Sequence, residues 1–277
     1  MQFSLMTYTV GPGQPGGLPH VTAIADFAAD LGFAALELSA GHLKDMSPAD
    51  FGAMCADRGL AVSCINGGCP MTSADDAEFQ AGVDQAKQYV DWAVAMACPV
   101  IMLLPGPALD EADKERTRHR IAEGLNLVMP YANAAGVAVT LEDFPNPLTP
   151  YCSIADLQWM FAAVPGLKLT YDNGNFLLGG DDPLTALQAL GDYVVNAHIK
   201  DWEIDPNGSR KLPDGRPFRG GKHGRGLINH PPIFAELVRQ GYDGFLAFEY
   251  EGPEDHCQAT REGLAYLQGV LATAQGG

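Results

Sequence analysis

Several short apolar segments of this sequence end in ionisable side chains. Residues 137–145, VAVTLEDFP, begin with the branched and small apolar residues of a strand and run without a turn into Glu142 and Asp143. Later segments of the same kind end in further acids and a histidine: Asp172 in LKLTYDNG, His198 and Lys200 in VVNAHIKD, and Glu249 and Glu251 in FLAFEYEG. A solvated strand end explains any one of these residues, but acids and a histidine on four successive segments indicate a shared site.

Strand geometry selects among these side chains, because successive residues of a strand point to opposite faces. Only one of Glu142 and Asp143 can therefore enter a shared site, and one inward group per strand gives Glu142, Asp172, His198 and Glu249. Three carboxylates and one imidazole suit a divalent metal of the harder kind and leave positions open for substrate or water. The donor set predicts one divalent ion, for which Mn²⁺ fits best and Mg²⁺, Co²⁺ and Zn²⁺ are alternatives.

The elements that would carry these residues alternate along the chain. Eight apolar runs are separated by stretches in which apolar residues recur at every third or fourth position, as in residues 75–97 and 116–135. Eight such units in 277 residues predict an α/β fold, a (β/α)₈ TIM barrel, as a single domain over residues 1–277. A doubly wound open sheet is the alternative, but no GxGxxG motif follows the first strand. In a TIM barrel the carboxyl ends of the strands form the active site, so the ionisable strand ends would meet there.

The segments LED, YDNGN, AHIKD and FEYEG together resemble the metal site of the xylose-isomerase-like TIM-barrel superfamily, the sugar phosphate isomerase/epimerase group. The resemblance covers essentially the whole chain and implies the same four ligands. Endonuclease IV-like members carry extra histidines after the third and fourth strands, where this chain has CINGGC and MLLPGP. A single metal is therefore expected. Asn175 stands where ketose 3-epimerases have a histidine, and HIKD resembles the inosose dehydratase branch.

The chemistry that the resemblance implies is proton transfer at a carbon next to a carbonyl, through an enediolate. Glu142 and Glu249 would be the proton-transfer groups, and Lys200 would either face an enolate oxygen or help to move a proton. The expected function is a metal-dependent isomerase or epimerase of keto-sugars or sugar phosphates. An inosose-dehydratase-like or 3-keto-glycoside lyase using the same site is the alternative, and a non-catalytic barrel or a nuclease is more remote.

Composition restricts the partners. A net charge of −17 and a pI of about 4.6 argue against binding to a phosphate backbone, which needs clustered Lys and Arg. The six cysteines form no CxxC motif, the N-terminus has no basic leader, and no apolar run is long enough to cross a membrane. We therefore expect a cytoplasmic protein with a small sugar or keto-polyol substrate and no nucleic-acid or membrane partner. The sequence leaves a homo-oligomer, a dimer or a tetramer, open.

The remaining substrate-binding candidates lie at strand ends and in one long segment. Glu37 and Asn66 end the second and third strands, Asn175 follows the sixth, and Trp202 follows the seventh. Residues 202–232 are long, polar and rich in glycine, which predicts a functional loop without a regular element. We expect this segment to close over the barrel mouth and present a cation to the substrate, or to dock on a neighbouring subunit; its candidate side chains are Lys222, His223 and Arg225.

Overall fold

A closed barrel of parallel strands organises the computed structural model, which describes residues 1–276. These residues form eleven strands: β1 (Gln2–Met6), β2 (Ala35–Ser39), β3 (Ala61–Gly68), β4 (Val100–Leu104), β5 (Ala138–Glu142), β6 (Lys168–Asp172), β7 (Val194–Ile199), β8 (Trp202–Ile204), β9 (Arg210–Lys211), β10 (Pro217–Gly220) and β11 (Phe245–Phe248). The barrel order is β1-β11-β7-β6-β5-β4-β3-β2. The predicted (β/α)₈ TIM barrel is confirmed, whereas the extent of a single domain over residues 1–277 stays a prediction.

Helices connect the barrel strands: α1 (Val21–Leu31), α2 (Pro48–Ala56), α3 (Asp76–Ala95), α4 (Lys114–Ala135), α5 (Ile154–Ala163), α6 (Asn173–Gly179), α7 (Pro183–Leu190), α8 (His230–Arg239) and α9 (His256–Gly276). Local sequence sets their ends. Ser47 and Asp75, for example, accept hydrogen bonds from the first free amides of α2 and α3. Gly32 ends α1 with φ of 79°, a left-handed conformation that glycine adopts without a steric cost.

The barrel interior changes from apolar to polar toward the carboxyl ends of the strands. Cys64, Val100 and Met102 form a small apolar cluster of their own. Beside it, the hydroxyls of Thr140 and Thr170 lie 2.7 Å apart. Polar groups deep in a barrel need internal partners, because water does not reach them. This polar part of the interior carries the buried side chains of the site described below.

The long segment after β7 differs from its prediction, because it contains regular structure. β8, β10 and β9 form a small antiparallel sheet, and α8 already begins at His230. The buried carboxylate of Asp201 fixes the chain around this sheet by accepting hydrogen bonds from four backbone amides: those of Trp202, Gly224, Gly226 and Ile228. Trp202 packs edge-on against Phe218 of β10, with ring centroids 5.4 Å apart. The glycines therefore serve a folded subdomain rather than an irregular loop.

No helix within residues 1–276 is long and apolar enough to cross a lipid bilayer.

Candidate metal centre

Four buried side chains converge at the carboxyl end of the barrel. Glu142 ends β5, Asp172 ends β6, His198 is in β7 and Glu249 follows β11, and one ligand atom from each lies within 4.8 Å of the others. The Nδ1 atom of His198 lies 2.7 Å from Glu142 Oε1, 3.1 Å from Glu249 Oε1 and 3.8 Å from Asp172 Oδ2. The structure thus brings together the whole predicted donor set around a single imidazole nitrogen.

Glu37 holds the opposite side of the same imidazole. Its Oε1 atom lies 2.6 Å from His198 Nε2 and also accepts hydrogen bonds from the amides of Asn66 and Asn196. A carboxylate can only accept, so Nε2 carries a hydrogen and donates it to Glu37. This arrangement directs Nδ1 toward the three carboxylates. A carboxylate behind a ligating histidine is the usual means of fixing its tautomer and orientation.

Lys200 and Glu251 extend the cluster toward the barrel mouth. Lys200 Nζ lies 2.8 Å from Asp172 Oδ2, 2.5 Å from Glu249 Oε2 and 3.2 Å from Glu251 Oε1. The other Glu251 oxygen accepts a hydrogen bond from Arg210 Nη2 at 2.8 Å. The Arg210 guanidinium in turn lies 4.8 Å above the Trp202 ring. Each cation of this network is therefore matched to at least one carboxylate.

The crowding of negative charge shifts the pKa values of the donor groups. Burial raises the pKa of Asp172 to about 8, and the neighbouring carboxylates of Glu142 and Glu249 add to this shift while Lys200 opposes it. Burial also raises the pKa of Glu249, again against the effect of Lys200. Burial disfavours the charged form of His198, but Glu249, Glu37 and Glu142 outweigh it and raise its pKa well above the usual value. The opposite balance holds at Glu142, where His198 overcomes burial and lowers the pKa.

These features fit a divalent cation. Within the described residues, Asp172 Oδ2 and Glu249 Oε2 are buried and accept no hydrogen bond of acceptable geometry, although Lys200 Nζ is close to both. Each carboxylate oxygen has two lone pairs, so both atoms can still coordinate a cation beside Lys200. Neighbouring carboxylates such as Asp172 and Glu249, which raise one another's pKa, are stabilised when a cation binds between them. Three oxygen donors and one imidazole, with the imidazole already oriented, could hold such an ion.

A cavity of about 370 Å³ lies at the barrel mouth above the cluster, and Asp172 is not among the residues that line it. Glu142, His198 and Glu249 line it, and so do Asn66 and Asn175, as predicted from the strand ends. Asp143 is fully buried outside the cavity, and its Oδ1 atom accepts a hydrogen bond from the backbone amide of Asp172. The strand alternation used in the sequence analysis therefore selects the carboxylate that the structure places at the site.

Two other predicted substrate contacts lie behind the cavity wall. Glu37 is fully buried against His198 and its asparagine partners, so it orients a ligand rather than facing a sugar hydroxyl. Trp202 is also fully buried and lies beneath Arg210, which excludes the predicted stacking on a substrate ring. Glu37 lies within β2 and Trp202 follows β7, but the side chains of both point into the packing beneath the site.

The three cations predicted to cover the mouth are directed elsewhere. Lys222 pairs with Glu262 of α9 at 3.0 Å, and Arg225 is exposed beside it. His223 is buried against Phe248, and its Nε2 atom donates a hydrogen bond to the Ile199 carbonyl at 3.0 Å. These side chains line a separate surface depression, because the loop that carries them folds back onto α9. The prediction that one of them reaches the substrate is not supported by their positions.

The polar cavity residues that were not predicted as substrate contacts include Tyr8, Arg210 and Glu251. Tyr8 lies two residues beyond the end of β1, and Glu251 two residues beyond Glu249. The sequence analysis names Glu251 among the strand-end acids but assigns it no role, and Tyr8 could have been found by extending that analysis by one alternation beyond β1. No sequence signal places Arg210, because it reaches the mouth only through the pairing of β9 with β10.

A comparison with known protein families agrees with this architecture. The family model described as xylose isomerase-like TIM barrel matches residues 25–270. The chain belongs to this family. The match includes the four metal-donor candidates and every barrel strand except β1.

Individual members of the family are more distant. A curated relative, the L-ribulose-5-phosphate 3-epimerase UlaE of Salmonella paratyphi C (strain RKS4594), is 26% identical over 175 residues, which are 63% of this chain and 58% of that protein. A structure of the IolI protein with a binding zinc atom covers 99% of both chains, with a TM-score of 0.80 and 16% identity. A D-psicose 3-epimerase from Clostridium cellulolyticum H10, solved with D-tagatose, has a TM-score of 0.77 and 18% identity and covers 98% of this chain and 99% of its own. At these identities the solved structures establish the shared fold.

Proposed function

We propose that the protein is a divalent-metal-dependent isomerase or epimerase that acts on a keto-sugar or sugar phosphate through an enediolate. One observation carries this proposal. Glu142 and Glu249 both line the cavity and lie within 3.1 Å of the same His198 nitrogen, but they come from strands on the two sides of β6 and β7. Two carboxylates on opposite sides of one site can address opposite faces of a bound substrate.

The metal would be held by Glu142, Asp172, His198 and Glu249, and Mn²⁺ is the first candidate because the donor set is mainly oxygen. A divalent ion at this position supplies polarisation of a substrate carbonyl, which makes the neighbouring C–H bond more acidic. Glu37 keeps the hydrogen of His198 on Nε2, so that Nδ1 remains directed at the donor set.

Proton transfer is assigned to the two glutamates. One carboxylate removes the proton from the carbon next to the carbonyl, and the other returns a proton from the opposite side of the cavity. Return to the same carbon on the other face gives an epimer, and return to the neighbouring carbon gives an aldose–ketose isomer. Both outcomes need the same first step, so the first step is the one to test.

Lys200 acts as a fixed positive charge beside this exchange. Its ammonium group is held by three carboxylates within 3.2 Å, and it lines the cavity next to Glu249. A preorganised cation stabilises negative charge that develops on a substrate oxygen during proton removal. The same contacts hold the ammonium in one place, so we assign Lys200 to charge stabilisation rather than to proton removal.

The six cysteines are free thiols, and five of them are buried. This thiol state is typical of proteins in a reducing compartment, and we place the protein in the cytoplasm.

The test is proton exchange from deuterated water into a panel of keto-sugars, with Mn²⁺ added. The parent protein should incorporate deuterium next to the carbonyl of at least one sugar. Glu142→Gln and Glu249→Gln should each lose roughly a hundredfold or more of the exchange rate, the usual loss for a general base. Glu262→Gln is the matched control, since it removes one carboxylate from the outer face of α9.

Two results would contradict the proposal. If no sugar in the panel exchanges a proton, the enediolate step is wrong for this protein. If both glutamine variants exchange at the parent rate, the proton-transfer groups lie elsewhere. Analysis of the products separates epimer and isomer from an unsaturated sugar, which would indicate elimination by a lyase.

A further inference from the structure

The charge arrangement of the cavity bears on whether its substrate carries a phosphate group. Among the described residues that line the cavity, the lysine and arginine side chains are Lys200 and Arg210. Glu251 forms ion pairs with both of them: one of its oxygens lies 3.2 Å from Lys200 Nζ and the other lies 2.8 Å from Arg210 Nη2. Lys200 is further engaged by Asp172 and Glu249. A phosphate dianion entering this cavity would meet two cations whose positive charge is already paired with carboxylates.

The backbone amides at the helix N-termini after β7 and β11 do not provide a phosphate site in place of these cations. The phosphate site of TIM-barrel enzymes typically lies at the loops after the seventh and eighth strands, at the N-terminus of a helix. Here α8, which follows β7, begins His230-Pro231-Pro232, and proline has no N–H to donate. At the start of α9, the amide of His256 donates to Pro15 and that of Gln258 donates to Asp255.

The N-terminus of the helix after β6 also lacks free backbone amides that could bind an anion. The first free amides of α6, those of Gly174 and Asn175, both donate to Asp172 Oδ1. The segment after β11 is itself acidic, with Glu249, Glu251 and Glu254 within six residues. The N-termini of α6, α8 and α9 are therefore occupied by carboxylates, a carbonyl or prolines of the chain itself.

The rest of the lining suits an uncharged polyol. Asn66 and Asn175 offer amide donors and acceptors, and Tyr8 offers a phenolic hydroxyl. Tyr89 and Phe144 provide aromatic surface, against which the C–H face of a sugar can pack. These groups recognise hydroxyls and carbon-bound hydrogens, and they have no preference for a charged ligand.

We propose, on the basis of the function proposed above, that the substrate is a free keto-sugar, keto-polyol or keto-glycoside that carries no phosphate group. Glu251 is then a specificity-determining residue: it neutralises Lys200 and Arg210 and repels an anionic substrate.

The experiment compares each 2-ketopentose and 2-ketohexose with its terminal phosphate ester, using the metal-loaded protein. L-ribulose and L-ribulose 5-phosphate form one such pair. Calorimetry measures the binding of each sugar, of each ester and of inorganic phosphate, and deuterium exchange measures turnover. The free sugar should have a kcat/KM and an affinity at least about tenfold above those of its ester, and inorganic phosphate should not compete.

Glu251→Gln tests the assigned cause. Removing one negative charge a few ångströms from the ligand should shift the ratio of affinities toward the phosphate ester by about tenfold. Glu262→Gln removes the same charge from the protein surface outside the cavity and should leave the ratio unchanged.

The outcomes separate the two proposals. Tighter binding of the esters, or binding of neither form by the parent protein, would overturn the inference about phosphate. An unchanged ratio in Glu251→Gln would overturn the role of that residue. Preferential binding of free sugars without any proton exchange would refute the proposed reaction while the inference about the substrate stands.

Discussion

Glu37 offers the sharpest test of the metal centre, because it touches the imidazole and not the donor atoms. We expect Glu37→Gln to weaken metal binding while the fold stays intact. The Oε1 atom of Glu37 accepts from His198 at 2.6 Å, Asn66 at 3.0 Å and Asn196 at 3.1 Å. The Oε2 atom accepts a hydrogen bond from Asn196 at 3.1 Å.

The magnitude follows from these contacts. A glutamine with its oxygen in the Oε1 position keeps all three of the first hydrogen bonds. It replaces one acceptor by a donor opposite Asn196, and it removes the negative charge that makes His198 a better ligand. Changing a carboxylate behind a ligating histidine typically costs 10–100-fold in metal affinity. We therefore expect a loss of about 1.4–2.7 kcal/mol in the free energy of metal binding.

The assay is a competition titration of Mn²⁺ against a chelator, together with thermal unfolding of the chelator-treated protein. Asp156→Asn is the matched control, because Asp156 is a comparably buried carboxylate on α5, paired with Arg118 and away from the cavity. Equal metal affinity in Glu37→Gln and the parent protein would refute the assigned role. An equal loss in Asp156→Asn would show that the effect is not specific to the histidine.

Three further outcomes are expected. Asp172→Asn keeps an oxygen to cap α6 but loses an anionic donor, so Mn²⁺ affinity should fall by more than about 100-fold; titration at parent-like affinity would remove Asp172 from the donor set. Burial lowers the pKa of His223 to about 3, so the unfolded chain takes up a proton at higher pH than the folded one, and stability is lost as pH falls below about 6.5. His223→Gln, which can still donate to Ile199, should lose about 2 kcal/mol less unfolding free energy between pH 8 and pH 5 than the parent; identical slopes in denaturant titrations would contradict this. Arg225→Ala should keep kcat/KM within about twofold, and a tenfold fall would restore the lid hypothesis for that side chain.

The local pattern of apolar and polar residues was sufficient to predict the barrel strands, the helices between them and the four donor residues. The spacing of apolar residues shows which face of a strand or helix is buried. This spacing can be read from residues that are close together in the chain. The regularity of the barrel then places every strand end at one rim, so Glu142, Asp172, His198 and Glu249 could be grouped without coordinates. Asn66 and Asn175 were found in the same way, because they lie near the carboxyl ends of β3 and β6.

Only the tertiary structure decided what faces the substrate around this core. The side chain of Glu37 turns beneath His198, because the asparagines beside it satisfy its oxygens there. The segment after β7 forms an antiparallel sheet whose pairing is nonlocal, so nothing in its sequence shows that Arg210 reaches the mouth while Lys222 folds back onto α9. The sequence determined which residues meet at the strand ends, since backbone geometry repeats along the chain. The neutralisation of the cavity cations by Glu251 depends on contacts between distant elements, and only the folded chain decides it.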